Sequence, residues 1–125
     1  MNRRLLFAAF ALLAAPMSAS AHGPTPTPMH GGSVQEVSEH WVELVLKSDE
    51  VTVYVREQDS KPLSTKEWSG KATVLVGGKS QVVTLTPAGE NSATAKLSGP
   101  ISGRVTAVLQ LTIDGKPATV RFAVG

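Results

Sequence analysis

The sequence predicts an all-β fold, an immunoglobulin-like or Greek-key β-sandwich of seven or eight short strands, and three observations predict it. Apolar and polar residues alternate in segment after segment, with valine and threonine over-represented, which is the pattern of half-buried strands. Gly77-Gly78, Asp114-Gly115 and the PAGEN run at 87–91 separate these segments at short, regular intervals, as hairpin and loop signals do. After residue 21 no stretch carries a helical period.

Taken in order, HWVELVLK (40–47) sets Val42, Leu44 and Leu46 on one side and Trp41, Glu43 and Val45 on the other. EVTVYVRE (50–57) opposes Val51, Val53 and Val55 to Thr52 and Tyr54. KATVLVGG (71–78), SQVVTLTP (80–87) and SATAKL (92–97) follow, and GRVTAVLQLTID (103–114) and ATVRFAV (118–124) close the chain. Residues 61–70, KPLSTKEWSG, read as a loop or irregular crossover. Pairing 32–37 with 40–47 around Ser38-Glu39 would set His40 at a hairpin tip and His30 at its open end, roughly 20 Å away. Trp41 and Trp68 are expected to pack in the core or at its rim. The chain has no cysteine, so this domain of about 100 residues must be held by its core alone.

The start of the chain has a different composition. Arg3 and Arg4 precede an unbroken apolar run, residues 5–15, and Ala19-Ser20-Ala21 supplies a small-x-small cleavage pattern. Residues 1–21 therefore read as a secretory signal peptide, with a run too short to span a bilayer, which takes about 20 residues. The expectation is a periplasmic protein with no stable membrane insertion after cleavage. Removing 21 of the 125 residues leaves 104, and losing Arg3 and Arg4 takes Lys+Arg from 12 to 10, equal to the 10 acidic residues. A neutral chain has no general field for phosphate, so no nucleic-acid partner is expected. In residues 22–32, Pro24, Pro26 and Pro28 alternate with threonine, which favours an extended, flexible arm, and deleting 22–29 is expected to cost little because such an arm has few backbone hydrogen bonds to lose. Residues 33–125 form the sandwich domain.

Catalytic templates are missing. There is no nucleophile elbow, paired-histidine zinc motif or phosphate-binding loop, and VGGKS (76–80) joins two strands as a hairpin turn. A non-enzyme is expected. All three histidines, His22, His30 and His40, fall within 19 residues near the mature start. Cleavage would give His22 a free α-amine beside its imidazole, and the two nitrogens can chelate one ion. Such nitrogen donors suit Cu(II) first and Zn(II) second. Pro24 has no amide hydrogen, so copper cannot displace backbone protons past Gly23. His30, His40 and Glu43 are the further candidate ligands, and Met29 adds a thioether suited to Cu(I).

PMHGG (28–32), HWVELVL (40–46), VTVYVRE (51–57), ATVLVGGK (72–79) and VTLTPAGEN (83–91) together resemble a group of small periplasmic β-sandwich proteins of proteobacteria. These are associated with heavy-metal resistance and RND-type efflux systems, and related domains occur at the N-termini of some metal-efflux adaptors. The resemblance implies a periplasmic immunoglobulin-like domain that handles metal, with His30 and His40 as ligands. It departs at residues 59–62, Asp-Ser-Lys-Pro, where a glycine is expected, and in a leader that keeps only His22. Two functions follow. One is a carrier or buffer of copper, with zinc second, in metal homeostasis or resistance. The other is a non-catalytic interaction module docking on an efflux adaptor or another periplasmic partner, with the strand at 118–124 available for strand addition.

Overall fold

The computed structural model describes residues 25–125, and within them the chain forms nine antiparallel strands and no helix. These are β1 (Ser33–Val37), β2 (His40–Lys47), β3 (Glu50–Arg56), β4 (Trp68–Val76), β5 (Lys79–Thr84), β6 (Thr86–Pro87), β7 (Ser92–Lys96), β8 (Val105–Ile113) and β9 (Lys116–Val124). One sheet runs β1-β2-β3-β7-β6 and the other β5-β4-β8-β9. Counted from β2, these orders are the ABED and C′CFG arrangement of an immunoglobulin-like sandwich, with β1 added at one edge. Residues 1–21, expected to be a signal peptide, and His22 lie outside the described residues.

The count exceeds the expected seven or eight because the run at 80–87 divides. Leu85 is buried, and its N–H donates to the Gly70 carbonyl at 3.0 Å, so the chain passes from one sheet to the other there. Pro87 lacks a donor and ends β6 after two residues, which suits an edge. β4 begins at Trp68, three residues before the expected start, because Trp68 faces the core. Its indole N–H donates to the Leu63 carbonyl at 3.0 Å. Gly70 allows that early pairing: a Cβ there would lie 2.7 Å from the Gln110 carbonyl oxygen on β8.

The inner faces carry the residues that alternation assigns to them. Val42 and Leu44 of β2, Val51, Val53 and Val55 of β3, Val74 of β4, Leu109 and Leu111 of β8 and Phe122 of β9 form one buried cluster. Each such side chain contributes about 1.5–3 kcal/mol by leaving water. The outer face of the β2–β3 pair does not follow the same rule. Trp41 (5% exposed), Glu43 (0%) and Arg56 (2%) point away from the core and are nevertheless buried.

Candidate metal centre

The chain preceding β1 reaches this outer face through two glycines. Gly32 lies so close to β2 that a Cβ would overlap the Leu44 carbonyl. Gly31 has φ +77°, the left-handed conformation glycine adopts without cost. The chain therefore turns immediately before β1, which brings Met29 and His30 to Glu43. Residues Thr25–Pro28 belong to no strand or helix, as their prolines lead one to expect.

Glu43 anchors this turn. Its Oε1 accepts the Met29 amide at 3.2 Å and His30 Nδ1 at 3.0 Å. Its Oε2 accepts the amides of His30 and Gly32, each at 2.9 Å. A carboxylate has about four acceptor directions, and all are used. Burial alone would raise the Glu43 pKa. The hydrogen bonds from the Gly32 amide, the His30 ring and the His30 and Met29 amides together outweigh it and hold the carboxyl below its ordinary value. The carboxylate is therefore ionised at neutral pH, and the Nδ1 facing it must carry the proton.

His30 is fixed on two sides. Its edge is bonded to Glu43, and its face stacks on Tyr54 with ring centroids 3.6 Å apart and planes 1° from parallel. Glu43 and Tyr54 are direct cross-strand partners on β2 and β3, so one register pair supplies both supports. In the neutral ring, with Nδ1 protonated, Nε2 keeps the lone pair, on a side chain that is 40% exposed. A carboxylate behind one imidazole nitrogen is the common arrangement for presenting the other nitrogen to a metal.

The remaining candidates are placed differently. Met29 is 59% exposed beside His30. Glu43 was expected as a direct ligand, but its oxygens are occupied by N–H donors, so in this arrangement it holds the histidine. His40 begins β2, three positions from Glu43 or about 10 Å along the strand, with the opposite side-chain parity. The expected separation of about 20 Å from His30 shrinks because the arm turns back over the strand pair, yet the two imidazoles lie on different faces and do not share a site. Among the described residues no three His, Asp or Glu side chains converge to hold one ion.

Tyr54 and Arg56 were not singled out by the sequence. Tyr54 carries a faint signal, as the aromatic on the strand after Glu43 with the same outward parity. Arg56 carries none: alternation sets it on the outward side, whereas its guanidinium is buried without a hydrogen-bond partner among the described residues. Compared with protein-family models, curated proteins and solved structures, the chain matches none.

Proposed function

We propose that this protein is a periplasmic metal-binding protein, a carrier or buffer for copper first and zinc second, acting beside a heavy-metal efflux system. The observation that carries the reading is the His30 imidazole, bonded at Nδ1 to a buried carboxylate and stacked on a tyrosine, with Nε2 free to bind. A ring held in this way loses little freedom when it coordinates. His22 lies eight residues upstream, and in this reading the arm bends back so that its donors meet the ion held at His30. Its α-amine and Nδ1 would chelate the ion, His30 Nε2 would supply a third nitrogen, and the Met29 thioether would suit the reduced ion. Glu43 and Tyr54 orient and do not ligate. The link to efflux and to the periplasm rests on the resemblance and on the leader.

The test is competitive titration of Cu(II) and Zn(II) into the chain starting at His22. Cu(II) should bind more tightly than Zn(II), following the Irving–Williams order. Affinity should fall as pH drops below about 6, where imidazoles and the amine generally take up protons. His22→Ala should weaken copper more than His30→Ala, and one extra residue before His22 should do much of the same damage with every imidazole retained. Unchanged copper binding after removal of all three histidines would overturn the reading. Docking through β9, which lies at a sheet edge, would then take its place.

A further inference from the structure

We propose that His40 and Glu57 form a second divalent-cation site at the end of the sandwich, separate from the arm and suited to Zn(II). His40 is the first residue of β2, and Glu57 follows β3 directly opposite it, since Trp41 pairs with Arg56. His40 Nδ1 lies 2.7 Å from the Ser38 carbonyl. A carbonyl only accepts, so Nδ1 carries the hydrogen and Nε2 carries the lone pair. That lone pair faces Glu57 Oε2 at 3.7 Å, beyond hydrogen-bond distance. In the neutral ring two acceptors thus oppose each other across a gap, an arrangement that favours a positive species between them, a proton or a metal ion.

The gap has the span of a shared metal ion. Zinc bonds of about 2.0–2.1 Å to nitrogen and oxygen at a tetrahedral angle place the two donors about 3.3–3.4 Å apart. His40 and Glu57 would need to close by only a few tenths of an ångström. Their surroundings favour a cation. The pair lines a cavity of about 600 Å³ together with Glu39, Asp114 and Lys116, so three carboxylates face one ammonium. The ends are held by tight turns, with positive φ at Ser38 and Glu39 on one side and at Asp114 and Gly115 on the other. Two protein donors leave the other coordination positions to water, with Glu39 and Asp114 as outer carboxylates. Imidazole and carboxylate donors completed by water accept zinc, and without the chelating amine this site holds copper less tightly than the arm does. The protein would then carry two ions at independent sites of different affinity.

The experiment is calorimetric titration of Zn(II) into the chain starting at His22, alongside ¹⁵N detection of the histidine rings. Metal-free protein at neutral pH should show His40 as the Nδ1–H tautomer, and saturating zinc should shift its Nε2 resonance. The His22→Ala/His30→Ala double variant should keep one zinc event. Adding His40→Ala or Glu57→Gln to it should weaken that event by at least the ~10–100-fold that loss of a mere outer partner costs. Glu57→Gln keeps shape and imidazole, so its effect reports the carboxylate and not folding. An Nε2–H tautomer, or a zinc event in the double variant that survives both added substitutions, overturns the site. The arm reading is judged apart, by the tightest copper event in Glu57→Gln, which should match that of the parent chain.

Discussion

At Glu43 a single side chain converts an extended leader into a placed one. Glutamine there would keep the volume but offer one acceptor oxygen where two now serve four N–H groups, and would turn an NH₂ toward donors. Glu43→Gln should therefore cost about 2–4 kcal/mol in urea unfolding of metal-free protein, through amides left unsatisfied in the interior. The sign of the pH effect follows from the lowered pKa. The stabilisation is complete above the unfolded carboxylate range, near 4.3, and is lost as pH falls through the lower folded value. The gap between parent and Glu43→Gln should thus be constant at neutral pH and narrow below about pH 4. A gap that widened in acid would contradict the assigned direction. Arg56 poses the opposite case. Its buried guanidinium has no acceptor among the described residues, so Arg56→Met should be neutral or stabilising by up to about 3 kcal/mol. A clear loss in thermal midpoint would mean that the charge is compensated after all.

At the level of elements, two short turns set the positions of both histidines. The β1–β2 turn places Ser38 at φ 48° and Glu39 at φ 62°, a conformation that asparagine and glycine adopt far more readily. Replacing Ser38-Glu39 by Asn-Gly should stabilise the protein by about 1 kcal/mol, read as a raised denaturation midpoint, while the His40 bond to the residue 38 carbonyl is retained. The turn before β1 behaves otherwise. Gly32→Ala has no room against the Leu44 carbonyl and should cost about 1–3 kcal/mol. It should also move the His30 ring off Tyr54, visible as a change in the aromatic ring-current shifts. The arm's expected dispensability needs the same correction. Deleting 22–28 should cost little. A deletion through His30 removes three of the four donors to Glu43 and should cost about as much as Glu43→Gln.

The whole molecule is a cross-strand sandwich without covalent staples, so its stability resides in the inner faces and in closing both ends. Leu109, fully buried on β8, illustrates the scale: Leu109→Ala should cost about 2–5 kcal/mol in a single unfolding transition. Reducing agent should leave that transition unchanged, since there is no cysteine to reduce. The architecture also separates the two imidazoles. The arm lies over the outer face of one sheet, whereas His40 sits at the rim between the sheets. Metal bound at one place should therefore have little effect on affinity at the other, and His30→Ala and Glu57→Gln should combine additively in zinc titrations.

Alternation along the chain determined the fold class, the inner faces of β2, β3, β8 and β9, and the concentration of imidazoles near the start, because side-chain parity in a strand is a local property. The same parity sets Glu43, Tyr54 and Arg56 on the outward side without recording that Glu43 and Arg56 are buried there. An outward position is exposed only if nothing returns to cover it, and no local pattern records such a return. His30-Gly31-Gly32 contains the means for it, one glycine for the left-handed turn and one for close approach, but not its destination. Only the tertiary structure brought the His30 ring to Glu43 and Tyr54. It likewise set His40 against Glu57, because these contacts depend on strand register and on the path of the arm.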